Sequence, residues 1–388
     1  MKQILQYGKI FQEVFRTVCF TVLLPVLGAG CSGCNISGND GKIESQNSLL
    51  IMTWNVQNLF DGKDDGTEYP EFTEDEGWTK EKYRGRLNVI SAAISGMEKK
   101  PDVIAMQEVE SLTVMNDLAS SLSGHGYNWT QFGKIPGMAL GVGLISRFPL
   151  TETKSHSVWV EGEIAPRPML EALLADENNE ASLILFVCHW KSKLGGEDTT
   201  ESTRRASARI ILRRLREMKE SGDNIPVIVM GDLNENYDEF YRRSGMEICA
   251  LLPDDPRSAE LANLYGIDES SEETEKLISE LQKDFIIITK NKPPSTRFFP
   301  AGALSMYSPW ADEAGDDIGT YYYRNNWETI DHFLLSAELF DGKSWDFERC
   351  RVINSQPFAS ARGFPVSYNQ RTGSGLSDHL PLLLFLKR

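Results

Sequence analysis

From residue 48 onward the chain alternates short apolar runs with polar connections. Runs at 49–54, 103–107, 142–146, 183–188, 227–230, 285–289, 330–336 and 380–386 are each a few residues long, the length of buried strands. Between some of them the spacing changes to that of a helix. Over 83–99, Leu87, Ile90, Ala93, Ile94 and Met97 share one face, and over 203–219 Ile210, Ile211, Leu215 and Met218 do the same. The second helix also carries Arg204, Arg205, Arg209, Arg213, Arg214, Arg216 and Lys219, read as a solvated basic face opposite a packed stripe. Two stretches break the alternation, 61–78 and 251–283, the latter with an acidic helical piece at 268–283. Both read as surface elaborations, too poor in apolar residues to form a core. There is no internal repeat.

The first residues follow another pattern. Lys2, Lys9 and Arg16 precede an apolar run from Val18 to Leu27, and Gly28-Ala29-Gly30-Cys31 follows. A basic start, an apolar centre too short to span a bilayer and a small-residue exit describe a secretory signal; Pro25 and the glycines argue against a buried helix there. The expected organisation is a signal over 1–30, a flexible Ser-, Gly- and Asn-rich tether over 31–47, and one folded domain over 48–388. Cys31 resembles the lipid-modified cysteine of bacterial lipoproteins, although Gly28 stands where a large aliphatic residue is usual; Cys34 is the weaker alternative. The protein is expected to be exported, as a periplasmic, membrane-anchored lipoprotein or extracellular protein. Cys188, Cys249 and Cys350, an odd and widely spaced trio, make neither a disulfide framework nor a zinc site.

Composition is that of a globular chain, with 41% hydrophobic and 25% charged residues, but the formal charge is -16. Such a chain has no general attraction for nucleic acid or anionic membrane, so a polyanionic substrate would have to be held locally.

Candidate chemistry gathers at the ends of the apolar runs. Asn55 follows Thr53-Trp54, and Glu108 follows Gln107. His189 stands next to Trp190, with Lys191, Ser192 and Lys193 beyond. Gly231-Asp232-Leu233-Asn234 ends the run at 227–230; Asp331 and His332 lie within a run; Ser377-Asp378-His379 opens the last one. Residues two apart on an extended chain face the same way, so Asp232 and Asn234 are expected to converge. Three of five histidines occupy these places. An Asp beside a His can fix its tautomer and raise its basicity, and oxygen ligands such as Glu108 suit hard cations, so the set suggests metal-assisted or acid–base hydrolysis. Each motif alone is weak, since an isolated Asn, Glu or His at a strand end is more often a turn residue, a solvated carboxylate or a structural imidazole.

As an ordered set, Trp54-Asn55, Gln107-Glu108, the 141–147 run Gly-Val-Gly-Leu-Ile-Ser-Arg, His189, Gly231-Asp232-Leu233-Asn234, Asp331 and Ser377-Asp378-His379 resemble the endonuclease/exonuclease/phosphatase superfamily, which includes pancreatic-type deoxyribonuclease. The resemblance implies an α/β fold, a four-layer α/β sandwich of two packed, mostly antiparallel β-sheets with helices on both outer faces. It also implies hydrolysis of a phosphoester with Mg2+ or Mn2+. Glu108 would be the main metal ligand, with Asn55 and Asp378 near it. Asp232, held with Asn234, would orient or deprotonate the attacking water. His379, paired with Asp331, would contact the phosphate, and His189 would stabilise the phosphoryl group or protonate the leaving group. The identity of the base stays open. Asn55, Lys191 and Arg167, within Pro166-Arg167-Pro168, would touch the phosphate, while His332 would be structural.

The leading expectation for the substrate is nucleic acid, cut by an exported or surface-anchored nuclease. A sphingomyelinase-like phospholipid phosphodiesterase, a phosphatase for inositol phosphates or other small phosphoesters, and an inactive surface-binding member are the alternatives. Tyr321-Tyr322-Tyr323 could stack on a base or sugar, but alternating strand aromatics are more often core. No protein partner is evident, and a monomer is expected.

Overall fold

The opening strand, Ser48–Leu59, is buried on both faces, which is why its sequence is a continuous apolar run rather than an alternation. Leu49 and Ile51 point into the layer between two sheets, whereas Leu50, Met52 and Trp54 point outward under helices. The computed structural model describes residues 47–176, 180–266, 282–300, 302–312 and 319–388. The signal and nearly all of the tether expected over 1–47, and most of the acidic piece at 268–283, lie outside the described residues.

Six strands form one sheet, in the order Asp346–Val352, Leu382–Lys387, Ser48–Leu59, Val103–Val109, Gly141–Ser146, Trp129–Gly133. Eight form the other, in the order Leu251–Pro253, Ile286–Thr289, Ser305–Tyr307, Asp331–Leu335, Val227–Asp232, Ala181–His189, Met169–Ala175, Leu150–His156. Most neighbouring pairs are antiparallel; the parallel ones are Ser48–Leu59 with Val103–Val109, Ala181–His189 with Val227–Asp232, and Ile286–Thr289 with both Leu251–Pro253 and Ser305–Tyr307. The inner faces of the sheets share one core, built from Leu49, Ile51, Ala105 and Leu144 on one side and Leu185, Val187, Met230 and Phe333 on the other. Burying each such large side chain contributes roughly 1.5–3 kcal/mol.

Helices cover both outer faces. Lys80–Ser95 starts where the Thr79 side chain accepts the Lys82 N–H, and Leu112–Ser121 where Ser111 accepts that of Val114. Their stripes, including Leu87, Ile90, Ile94, Met115 and Leu118, pack on the six-stranded sheet. Glu197–Ser221 lays Ile210, Ile211 and Met218 on Phe186 and Val229 of the eight-stranded sheet. The four-layer sandwich implied by the resemblance is therefore the observed fold. Among the described residues no helix is long and apolar enough to cross a membrane.

Four expectations need correction. The 61–78 stretch is not a surface elaboration alone, since Phe72 and Trp78 are buried in the core under the first sheet, with Phe72 stacked 4.7 Å from Phe60. Within 251–283, Leu251–Pro253 is an edge strand, and Leu252, Ala259 and Ala262 join a satellite core with Phe240 and Phe285. The basic helix face is solvated only in part: Arg209, Arg213 and Lys219 are exposed, but Arg204 is fully buried against Glu201, Arg205 and Arg209 meet Asp284, and Arg214 meets Glu171. The three tyrosines form one strand of a short hairpin outside the main core, with Tyr321 and Tyr322 half-buried and Tyr323 exposed.

Candidate active site

The site lies where strand ends from both sheets meet at one edge of the sandwich. Asn55 leaves the first sheet and donates from Nδ2 to Glu108 Oε1 (3.2 Å) and across the gap to Asp232 Oδ2 (3.0 Å). His189 Nε2 lies 3.7 Å from Glu108 Oε1 and 3.5 Å from Asp232 Oδ2. His379 Nδ1 is 2.8 Å from Asp331 Oδ2, which also accepts from the Thr320 hydroxyl at 2.6 Å. Asn55, His189, Asp232, Asp331 and His379 are all buried.

Local backbone geometry aims these groups. Glu108 has a left-handed φ of 63° at the bulge where its strand departs from register, which turns the carboxylate out of the pleat. Asn58 donates its N–H to Glu108 Oε2 (2.9 Å). Asn234 is also left-handed, with φ 51°. The expected convergence of Asp232 and Asn234 through extended chain is therefore replaced by a tight turn. Asp232 Oδ1 accepts the Asn234 N–H (2.9 Å), and the Asn234 side chain donates to Trp190 O (3.2 Å). Ser377 fastens the last segment to the first: its hydroxyl donates to Asn55 O (2.6 Å) and accepts from His379 N (3.0 Å). Trp54 Nε1 donates to His379 O at 3.0 Å.

Arg167 joins the cluster, with its guanidinium against His189 Nε2 and 3.0 Å from Trp190 O. Lys191 instead donates to the carbonyls of Ser192 and Leu194, capping its own loop. Lys193 is drawn aside into an ion pair with Glu239 (2.6 Å). His332 points away from Asp331, donating from Nε2 to Glu235 O (2.8 Å).

Several supporting residues have no motif of their own. Arg86, buried in a helix, donates to Asn58 O at 3.1 Å and to the carbonyls of Val56 and Gln57, holding the loop after the opening strand. Gln57 accepts from Asp378 N (3.1 Å) and Tyr368 N (2.7 Å), so it places Asp378. Gln57 stands two residues after Asn55, close to a motif; Arg86 and Thr320 carried no signal in the sequence.

The electrostatics divide the two imidazoles. Burial opposes charge on His379, but Asp331, Asp378 and Asp232 overcome it and push its pKa up to about 10. His189 goes the other way: burial, Arg167 and His379 hold it neutral, well below the usual histidine range. Burial raises Asp232, His379 lowers it and Asp331 raises it, for a net upward shift. Burial also raises Asp378, opposed by His379 and aided by Glu108.

Three carboxylates (Glu108, Asp232 and Asp378) and the Asn55 amide thus share one wall, where burial, with repulsion from Asp331 at Asp232 and from Glu108 at Asp378, favours the neutral forms of Asp232 and Asp378. Oxygen donors of this kind suit a hard divalent cation such as Mg2+ or Mn2+, and a cation would relieve that repulsion. The residues fit the metal. Among the described residues, the groups of three that bring possible ligand atoms within 4.8 Å of one another are Glu201, Glu235 and Cys249, and Asp65, Glu68 and Glu110; Glu108, Asp232 and Asp378 stand farther apart than that. Glu201 is already paired with Arg204 and Arg243.

Two helix-flanked sheets meeting at a polar edge of carboxylates, amides and one charged imidazole define an α/β-sandwich hydrolase. The chain belongs to the endonuclease/exonuclease/phosphatase family, whose model matches residues 50–269. That family is one of phosphoesterases. None of the curated proteins matches the chain. Similar solved structures include an endonuclease/exonuclease/phosphatase from Bacteroides vulgatus, 16% identical, covering 88% of this chain and 98% of that one at a TM-score of 0.47. Truncated Caenorhabditis elegans TDP2 is 13% identical over 88% of this chain and 98% of its own, with TM-score 0.48. A Bacteroides thetaiotaomicron mannosyl-6-phosphatase is 16% identical over 88% of this chain and 100% of its own, with TM-score 0.45.

Proposed function

We propose that the protein is a divalent-metal-dependent phosphoesterase whose substrates are nucleic-acid phosphodiesters. The observation that carries the reaction class is the Asn55 side chain, which ties Glu108 of one sheet to Asp232 of the other beside His189. Glu108, Asp378 and Asn55 would hold the cation. When bound, the metal would polarise a phosphoryl oxygen and offset charge on the leaving oxygen.

The chain's own groups supply the rest. Asp232 is fixed by Asn55 on one oxygen and by the Asn234 N–H on the other, so it is oriented to receive a proton from an attacking water; its raised pKa favours that transfer near neutral pH. His379, charged and anchored through Nδ1 to Asp331, has its other ring nitrogen for a phosphate oxygen. His189 is neutral and turned to Arg167, which favours a role in orienting that guanidinium toward the phosphate over proton donation. Arg167 and His379 are local positive charges in an otherwise acidic chain, with Lys191 close by, and they support local capture of a polyanion. The proposed setting is outside the cytoplasm, with the chain anchored through Cys31, on the strength of the basic–apolar–small pattern over residues 2–31.

The test is a panel of DNA, RNA, sphingomyelin, inositol phosphates and an aryl phosphodiester, assayed with Mg2+ and with EDTA. Turnover of nucleic acid that EDTA abolishes is expected. Asp232→Ala and His379→Ala should each lose at least ~10²-fold in rate while keeping the wild-type circular dichroism spectrum, since each removes a group acting at the transition state. Full activity in both variants would overturn the site, and turnover of lipid or inositol phosphate alone would overturn the substrate.

A further inference from the structure

Beside the site stands a two-stranded hairpin, Tyr321–Tyr323 with Asn326–Glu328, closed by Arg324 and Asn325 at φ 48° and 68°. Two left-handed residues in a two-residue turn match the right-handed twist of the strands. Tyr322 faces inward, where Trp327 (5.1 Å) and Phe364 (4.6 Å) hold it. Tyr321 and Tyr323, two apart, face the other way. The Tyr321 ring lies 4.7 Å from the His379 imidazole at 30°, and the Tyr323 ring 6.1 Å from Tyr321 at 19°. Backbone pairing of Tyr321 with His379, and of Leu380 N with Thr320 O at 2.7 Å, fixes the hairpin to the reacting edge. Tyr323 is 46% exposed, and the Arg324 guanidinium lies 5.1 Å from its ring centre.

Rings that only filled core would not continue outward from a catalytic imidazole to solvent. We infer that His379, Tyr321 and Tyr323 form a stacking ladder that receives a nucleobase of the substrate next to the reacting phosphate. A phosphate held at His379 places its neighbouring substituent beside this row, and every nucleobase has a flat face that such rings accept. A quaternary ammonium headgroup, which also favours tyrosine faces, is opposed by the positive charge of Arg324 at the outer end of the row. The inference rests on the phosphoesterase site proposed above and names the part of the substrate that the site's flank would recognise.

The experiment is calorimetric titration of the full chain, with Mg2+ present, using three non-hydrolysable phosphonates: analogues of a nucleoside 5′-monophosphate, of ribose 5-phosphate and of phosphocholine. The nucleotide analogue should bind about ten-fold more tightly than the ribose analogue. Tyr323→Ala should abolish that preference, and Tyr323→Phe, which keeps the ring, should retain it. Equal binding of nucleotide and ribose analogues, tighter binding of the phosphocholine analogue, or an unchanged preference in Tyr323→Ala would each overturn the ladder. Because binding is read without turnover, a wild-type enzyme that prefers the nucleotide analogue yet cleaves no nucleic acid would count against the nuclease reading and leave the ladder standing.

Discussion

Among the residues, His332 is the clearest case of an imidazole kept neutral for structure. It is fully buried, and that burial lowers its pKa to about 4 despite the hydrogen bond to Glu235 O and the nearby Asp331. An unfolded chain would protonate the same ring near its ordinary value of 6.5. Between those two values the unfolded state binds more protons, so this residue's contribution to stability falls as pH drops from about 6.5 toward 4. Gln at this position keeps a donor for the carbonyl but does not titrate. The difference in Tm between wild type and His332→Gln should therefore favour wild type at pH 7.5 and shrink steadily on acidification. A difference that stays constant from pH 7.5 to 4.5 would show that the ring does not titrate as its burial requires.

At the scale of elements, the approach of strands around Gly231 decides whether the site can form. Gly231 has φ +128°, and a Cβ there would collide with the carbonyl of Cys188 on the paired strand while lying 3.0 Å from Gln107 Nε2 of the other sheet. Gly231→Ala should cost about 2–4 kcal/mol, from backbone strain and overpacking together, measurable as a lower denaturation midpoint. It should also lower activity in the molecules that remain folded, because Asp232 is the next residue. A variant as stable and as active as wild type would sink this account. The same scale explains what could be read from the chain alone. All eight apolar runs became strands because both of their faces are buried, and the Asp, Asn and His residues at their ends were conspicuous against that background. Leu150–His156 and Asp346–Val352 escaped notice because they are edge strands with exposed middles. Phe72 and Trp78 were hidden in an acidic loop, and Arg86 in a helix whose buried face otherwise looks apolar. The turn at Asn234 and the bulge at Glu108 depend on tertiary hydrogen bonds, so no local pattern announced them.

For the whole molecule, the two sheets share a wall of carboxylates, Asp232 buried and Glu108 and Asp378 half-buried, and the proposed cation would join them. Folding without metal must hold Glu108, Asp232 and Asp378 together unaided. A ligand that binds only the folded state at a hundred times its Kd stabilises by about 2.7 kcal/mol. Mg2+ at that concentration should raise the Tm by several degrees, EDTA should remove the gain, and Asp378→Asn should reduce it; an unchanged Tm across a Mg2+ titration would argue against the proposed ligands. The edge at which the sheets meet is also a meeting of distant chain. Ser377 reaches Asn55 across 322 positions, and the opening strand pairs with Leu382–Lys387 from Ser48 to Thr53. While the chain is being synthesised, therefore, the opening strand waits without that neighbour, and no ribosome-bound intermediate short of residue 379 possesses both imidazoles. The candidate site of a nascent molecule is therefore completed only after almost all of its sandwich has been translated.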